Sequence, residues 1–206
     1  MTPSQAELGL DVSRETFERL EIYAALLRKW NRAINLVSPA SLDALWTRHI
    51  ADSAQVFSLA PEGAETWADL GSGGGFPGMV IAILAAELRP SLAVTLVESD
   101  KRKATFLQAV ARDTGVAADI RPARIEEVSP LGAEVLSARA LAPLIVLLGY
   151  AERHLAAGGV ALFPKGARHR GEVAAALASW QFDVQTVASR TEADGVILRI
   201  GGISRV

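Results

Sequence analysis

The chain has 206 residues, of which 50% are hydrophobic, and a formal net charge of −2. This length is sufficient for one good core and fits one domain with a modest extension. Cysteine is absent, which excludes disulfides, thiolate nucleophiles and cysteine-based metal sites, and we expect no metal. The charge balance gives no overall attraction to nucleic acid, so a site for a polyanion has to be a local patch.

The ends and apolar runs of the chain give no sign of targeting. The amino terminus lacks the basic segment and apolar core of a signal peptide. The longest apolar stretches, 79–88 and 141–150, are too short to span a bilayer. We therefore expect a cytoplasmic protein, and a monomer.

Two helical segments precede the core. Apolar residues recur at helical spacing over 13–34, behind a cap residue at Ser13. A second helical stretch begins at Ser41. We predict an amino-terminal helical extension over 1–60 and a Rossmann-like domain over 61–206, packed as one compact unit.

Strands and helices alternate through the rest of the chain. This alternation with short connections predicts an α/β fold, with a mainly parallel seven-stranded sheet covered by helices on both faces. The last two strands are expected to form a closing antiparallel pair. The predicted strands lie at about 67–70, 93–98, 118–122, 133–138, 160–163, 182–187 and 196–200, and the helices at 79–88, 101–114, 143–155 and 172–179.

A glycine-rich loop organises this part of the chain. Residues 67–70 read as a buried strand that carries Asp69, and glycines follow at positions 71, 73, 74, 75 and 78. Glycines let the backbone adopt positive φ and let a ligand approach the main chain closely. Open α/β sheets bind ligands at such loops, beyond the carboxyl ends of their strands. The loop therefore predicts a ligand site.

Two cofactor interpretations compete for this loop. Gly73, Gly75 and Gly78 have the spacing of a dinucleotide fingerprint, and Glu98 lies 20 residues further on. This spacing is consistent with an NAD(P)-dependent oxidoreductase.

The second interpretation is S-adenosylmethionine, and we favour it. Its pattern is an acidic residue before alternate glycines, here Asp69, Gly71, Gly73 and Gly75. A carboxylate at the strand end repels a pyrophosphate but attracts a sulfonium. Phe76 and Pro77 put bulk, and no N–H, where a pyrophosphate needs free amides. In this interpretation Glu98 accepts the two ribose hydroxyls, and Ile125 and Glu126 border the adenine.

Two features that the sequence lacks restrict which kind of atom can accept the methyl group. Methylation at C5 of a pyrimidine requires a cysteine nucleophile, which the chain does not have. Residues 137–143 lack the Asn/Asp-Pro-Pro-aromatic turn typical of exocyclic-amine methylation. The remaining acceptor is one that is already nucleophilic, such as a ring nitrogen, and it requires alignment rather than a general base.

Several short segments of the chain, taken in order, match the pattern of one known family. The chain closely resembles the bacterial small-subunit ribosomal RNA methyltransferase G family, also called glucose-inhibited division protein B, over roughly residues 20–170. The segments that carry the resemblance are Lys29–Asn31, Asn35-Leu36, Arg48-His49, Asp52-Ser53, Asp69–Gly78, Lys101-Arg102, Phe106-Leu107, Arg124–Glu127, Arg139-Ala140 and Lys165-Gly166.

The resemblance implies a class I methyltransferase fold and a specific reaction. The methyl group passes from S-adenosylmethionine to N7 of a guanine in the decoding-region loop of 16S rRNA. The implied cofactor contacts are Gly71, Phe76, Ile125, Glu126 and Arg139. One departure is Ala138, where many members have a serine that would supply a hydroxyl.

The resemblance also implies an RNA-facing set of residues and a partner. The set comprises Arg48, His49, Lys101, Arg102 and Lys165, and Arg139 orients either the cofactor carboxylate or a substrate phosphate. The partner is 16S rRNA within the small ribosomal subunit or an assembly intermediate. Two alternatives stay open, an NAD(P)-dependent oxidoreductase and a non-catalytic RNA-binding protein of ribosome assembly.

Overall fold

The computed structural model describes residues 8–206. The first residues of the extension 1–60, and the terminus examined for a signal peptide, lie outside the described residues. Within 8–206, no helix combines the length and apolar character that crossing a membrane requires.

Seven α-helices and seven β-strands make up most of this part of the chain. The helices are α1 (Arg14–Trp30), α2 (Pro39–Leu42), α3 (Asp52–Ser58), α4 (Gly78–Leu88), α5 (Lys101–Thr114), α6 (Leu144–His154) and α7 (His169–Ala176). The strands are β1 (Thr66–Leu70), β2 (Ala93–Val97), β3 (Asp119–Arg121), β4 (Ala133–Ser137), β5 (Leu155–Lys165), β6 (Trp180–Ala188) and β7 (Val196–Arg205). A π-helical segment (Trp46–Ala51) precedes α3, and a 3₁₀ turn (Ile125–Glu127) follows β3.

The strands form one sheet in the order β3-β2-β1-β4-β5-β7-β6. The five strands from β3 to β5 are parallel, and β7 runs antiparallel to both β5 and β6. The predicted seven-stranded α/β fold and the closing antiparallel pair are therefore confirmed. The structure extends β5 back to Leu155, directly after α6, and starts α7 at His169 instead of 172.

Helix α1 begins where the sequence predicts and ends earlier. The Ser13 hydroxyl accepts a hydrogen bond from the Thr16 amide, 3.2 Å away, which satisfies one of the free amides of the first turn. The helix stops at Trp30 because the Asn31 side chain accepts the amides of Leu36 and Val37, both at 2.9 Å. These bonds turn the chain back, so the predicted continuation to 34 does not form.

The amino-terminal helix packs into the same core as the sheet. Leu20, Tyr23 and Leu27 on one face of α1 are fully buried, in an apolar cluster shared with α4 and β1. At the start of the helix, the Ser13 hydroxyl and amide donate to Glu87 at the end of α4. Because the two parts share apolar contacts, we expect residues 8–60 to unfold together with the rest of the chain.

Replacing Leu20 with alanine tests this expectation. The substitution leaves a cavity in the shared core, so the free energy of unfolding should fall by about 2–5 kcal/mol in a single transition. Ile22 lies on the same helix and is 41% exposed, so Ile22→Ala is the matched control, with a change within about 0.5 kcal/mol. Denaturation followed by circular dichroism measures both variants. A separate early transition in Leu20→Ala, with the main one unmoved, would contradict the prediction.

Candidate functional site

A cleft of about 1150 Å³ lies at the carboxyl ends of β1, β4 and β5. Small-ligand sites are typically about 300–1,000 Å³, so the cleft has room for more than one small molecule. Its walls come from six stretches of chain, which are residues 36–41, 48–52, 71–76, 139–143, 164–175 and 189–196.

The buried Asp69 carboxylate holds the two ends of the glycine loop. One oxygen accepts the Gly78 amide at 3.2 Å, and the other accepts the Ser137 hydroxyl at 2.7 Å. Ser137 in turn accepts the Trp67 indole N–H at 2.9 Å. A Cβ atom on Gly78 would lie 2.6 Å from the carboxylate, so only glycine allows this approach. Asp69 thus joins the end of β1 to the start of α4.

Asp69 holds the loop from inside the protein rather than from the cleft. It is 1% exposed and does not line the cleft. Both of its oxygens are used inside the protein, because a buried charge needs hydrogen-bond partners. Its assignment to the cofactor site stays a prediction.

Tyr23 holds the loop from the opposite side. Its hydroxyl donates a hydrogen bond to the Gly74 carbonyl, and the side chain is fully buried. Burial raises the pKa of Tyr23 well above its ordinary value, so the hydroxyl stays protonated and remains a donor. A Cβ on Gly75, which has a φ of +95°, would lie 2.6 Å from the Tyr23 oxygen. Gly75 therefore faces Tyr23 rather than the cleft.

The sequence pattern did not single out Tyr23 among the residues of the predicted helix over 13–34. A tyrosine among the apolar residues of a helix was the available signal for a buried hydrogen bond, since a buried tyrosine hydroxyl usually has a partner. The identity of that partner depends on tertiary structure, because Gly74 is 51 residues away along the chain.

Glu98 lies directly beside the glycine loop. Its carboxylate accepts the Gly73 amide at 2.8 Å and the Asp100 amide at 2.7 Å, and the residue is 7% exposed. Each carboxylate oxygen has a second lone pair, so acceptor capacity remains for a hydroxyl ligand. Glu98 does not line the cleft, and its role at the ribose hydroxyls stays a prediction.

Ile125 and Glu126 lie in the 3₁₀ turn after β3, at the same edge of the sheet. Ile125 is buried, whereas Glu126 is exposed and accepts the Tyr150 hydroxyl. That hydrogen bond lowers the pKa of Glu126, so the group is a carboxylate at neutral pH. Neither residue lines the cleft, and their role at an adenine ring stays a prediction.

Arg139, which follows β4, connects the sheet to the amino-terminal segment. Its guanidinium donates to the Arg48 carbonyl at 3.2 Å and to Nδ1 of His49 at 2.6 Å. It also lies 3.7 Å from the Asp52 carboxylate and 5.2 Å from the centre of the Phe76 ring. Arg139 lines the cleft, and two of its donors are used by other residues of the chain.

His49 is held as a neutral ring. A guanidinium can only donate, so Nδ1 of His49 accepts and Nε2 carries the proton. The ring stacks on Phe76, with the two centres 4.8 Å apart. Burial, with the nearby charges of Arg139 and Arg48, lowers the pKa of His49 to about 3. His49 lines the cleft, but it adds no positive charge there at neutral pH.

The other predicted RNA-facing cations have different surroundings. Arg48 is half exposed at the cleft wall and pairs with Glu192 at 2.8 Å. Lys165 is almost buried and donates to Glu172 at 2.7 Å and to the Ala142 carbonyl at 2.9 Å. Its ammonium is thus engaged within the protein, which sequence reasoning did not anticipate.

Lys101 and Arg102 lie on the first turn of α5. Both are exposed and neither lines the cleft. Asp100 caps this helix by accepting the Arg102 amide at 2.8 Å, and its carboxylate lies 3.5 Å from the Arg102 guanidinium. The structure therefore places these two cations beside Glu98, outside the main cleft.

The strand order and the position of the loop define a class of protein. Similar solved structures include a ribosomal protein L11 methylase from Lactobacillus delbrueckii subsp. bulgaricus, with a TM-score of 0.60 and 19% identity over 75% of this chain and 78% of that one. An O-methyltransferase from Bacillus cereus gives a TM-score of 0.57 and 14% identity, covering 93% and 92% of the two chains. The fold is that of the class I methyltransferases.

Sequence comparison then gives the family. Residues 16–197 match the GidB family, described as rRNA small subunit methyltransferase G. The protein of that name from Ruegeria pomeroyi is 56% identical over 197 residues, which cover 96% of each chain. The one from Rhodospirillum centenum is 50% identical and covers 98% of this chain and 91% of its own. The chain belongs to the rRNA small subunit methyltransferase G family.

The buried Asp69 should give the protein a defined pH dependence. Burial raises the pKa of Asp69 to about 6, against the opposing hydrogen bonds from Ser137 and Gly78. The unfolded group titrates near 3.9, so between about pH 4 and 6 the folded state binds more protons. The stability that this group contributes is therefore fully present below about pH 4 and declines as the pH rises to about 6.

Asp69→Asn removes this titration. Urea unfolding of both proteins from pH 4 to 8 measures the effect. The free energy of unfolding of the wild type should fall relative to that of the variant by roughly 1 kcal/mol per pH unit between about pH 4 and 6. Above this range the difference should be constant. Parallel profiles over the whole range would show that Asp69 titrates normally.

Proposed function

We propose that the protein transfers a methyl group from S-adenosylmethionine to N7 of a guanine in the decoding-region loop of 16S rRNA. The observation that carries this proposal is its membership of the rRNA small subunit methyltransferase G family over residues 16–197. The class I methyltransferase fold, with the glycine loop on the cleft wall, supports it.

The proposed cofactor site follows the glycine loop. Gly71 and Gly73 have φ values of +65° and +56°, and both line the cleft. A Cβ on Gly73 would meet only the Gly71 carbonyl, at 3.8 Å, so the backbone there is open to a ligand. Phe76 supplies an apolar surface at the same wall. These features fit the methionine part of S-adenosylmethionine.

The remaining cofactor contacts extend along the sheet edge. We assign the ribose hydroxyls to Glu98, and the adenine to Ile125 and Glu126. Glu98 follows β2, the strand next to β1, and Ile125 and Glu126 follow β3, which lies beyond β2 at the edge of the sheet. In open α/β sheets, nucleotide sites lie at the carboxyl ends of the strands, and an acidic residue there usually binds the ribose hydroxyls. Arg139 would hold the carboxylate of the cofactor or a substrate phosphate.

The proposed mechanism requires positioning and exclusion of water. S-adenosylmethionine held at the glycine loop would supply an electrophilic methyl group. Its transfer to the N7 lone pair of guanine would break the sulfur–methyl bond, release S-adenosylhomocysteine and require no loss of a proton from N7. The chain therefore needs no general base, and two of the titratable groups beside the loop, Asp69 and His49, fit that requirement. Asp69 is used inside the protein, and His49 is neutral and accepts a hydrogen bond from Arg139. Alignment of the two reacting atoms remains the main contribution of the protein.

An NAD(P)-dependent oxidoreductase is not favoured. Dinucleotide-binding folds continue with a parallel sixth strand, in the order 3-2-1-4-5-6. Here the antiparallel strand β7 lies between β5 and β6. Thermal shifts with S-adenosylmethionine and with NADH compare the two cofactors directly, since a ligand stabilises the folded protein that binds it.

Gly71→Arg should abolish transfer. The Cβ of the new residue would lie 2.6 Å from the Leu141 side chain, and its backbone would have to adopt a positive φ. The arginine side chain would therefore block the loop. The test is labelled methyl transfer into small subunits from a strain lacking the gene, followed by mapping of the modified base. The expected loss is about 100-fold or more, as for a displaced reactant. Full transfer would refute the role assigned to the loop.

Gly63→Arg is the matched control for that substitution. Gly63 is exposed, and a Cβ there meets nothing within 4 Å. The control should methylate subunits at the wild-type rate. If the wild type binds subunits but transfers no label, the protein is instead a non-catalytic RNA-binding protein.

The preferred substrate is proposed to be the small subunit or an assembly intermediate. A chain with a net charge of −2 has no general attraction to RNA, so binding to naked 16S rRNA should be weak and should fall steeply with salt. A folded particle presents a defined RNA shape, which proteins recognise. Initial rates on equal concentrations of particle and naked rRNA measure the preference, and faster methylation of the naked rRNA would contradict it. A monomeric state and a cytoplasmic location stay predictions.

A further inference from the structure

The charged residues on the cleft wall are mostly paired with one another. Three ion pairs lie on this wall, namely Arg48 with Glu192 at 2.8 Å, Arg139 with Asp52 at 3.7 Å and Lys165 with Glu172 at 2.7 Å. All six residues line the cleft. Each of these cations thus has a carboxylate that already compensates its charge.

Arg168 differs from these three cations. It lines the cleft, it is exposed, and within residues 8–206 no carboxylate lies at ion-pair distance from its guanidinium. It immediately precedes α7, and Gly171 and Ala175 line the same cleft. Small residues therefore form part of the cleft wall that follows Arg168 in the chain.

The location of Arg168 separates it from the proposed cofactor site. The glycine loop follows β1, whereas Arg168 follows β5, two strands away in the sheet order. The cleft is continuous between these ends and is larger than a single small-ligand site usually is. The β5 end is thus the part of the cleft left for the methyl acceptor.

We propose that Arg168 binds a backbone phosphate of the RNA next to the target guanine and positions that nucleotide in the β5 end of the cleft. This inference rests on the proposed function and adds a substrate-positioning residue that the sequence did not indicate. A guanidinium forms two parallel hydrogen bonds with a phosphate, which fixes orientation as well as affinity. An overall acidic chain requires such a local cation to bind a polyanion.

The same turn offers a matched control. Arg170 is exposed, lies in the first turn of α7 two residues after Arg168, and does not line the cleft. Removing either arginine changes the net charge equally. Both positions are at the start of α7, where loss of a cation does not oppose the helix dipole, so neither variant should unfold.

The experiment compares Arg168→Ala, Arg168→Lys and Arg170→Ala on isolated small subunits. Filter binding with S-adenosylhomocysteine present, over a range of salt, measures affinity, and labelled transfer measures kcat and KM. We expect Arg168→Ala to weaken binding about tenfold and to reduce the salt slope by about 1, since one phosphate contact is lost. KM should rise with kcat at saturation nearly unchanged. Arg168→Lys should recover only part of the affinity, and Arg170→Ala should match the wild type.

The outcomes separate this inference from the proposed function. If Arg168→Ala behaves like Arg170→Ala in binding and in KM, the role of Arg168 is refuted while the activity stands. If the wild type transfers no methyl group but Arg168→Ala alone weakens binding, the activity falls and the RNA contact stands. If Arg168→Ala and Arg170→Ala weaken RNA binding equally, the effect is one of diffuse charge, and this result would also overturn the proposal. The thermal shift with S-adenosylmethionine should be the same in all four proteins.

Discussion

The buried carboxylate of Asp69 is the constraint on which the rest of the site depends. It accepts the amide that opens α4 and a hydroxyl from the end of β4, so one side chain fixes a strand end, a helix start and a neighbouring strand. Burial of that charge is unfavourable without these donors, as its raised pKa reflects. The glycine loop is consequently held in one shape, and the backbone on its open side is preorganised for a ligand.

The amino-terminal helices complete the site. Tyr23 of α1 holds the back of the glycine loop, and His49 stacks on Phe76 at its front. Arg139 then joins the segment that carries His49 to the end of β4. An extension in this position is part of the wall of the cleft, so changes in its packing reach the cofactor loop directly.

Sequence patterns located most of the elements and part of the cleft wall. Gly71, Gly73, Phe76, Arg139, Arg48, His49 and Lys165 were all expected near a ligand, and all line the cleft. The pattern did not distinguish residues that face the cleft from residues that hold it together. Asp69 and Gly75 face inward, and Lys165 is engaged by Glu172, because residue type and spacing do not specify a direction or a distant partner.

The sequence alone determined the alternation of strands and helices, the glycine loop after β1 and the family to which the chain belongs, because these depend on local periodicity and on the order of motifs. Tertiary structure alone decided which charges cancel. The partners Arg48 and Glu192 are 144 residues apart in the chain. Such contacts form only when the sheet brings its strand ends to one edge, and they leave Arg168 as the cation on the cleft wall that has no carboxylate at ion-pair distance within the described part of the chain.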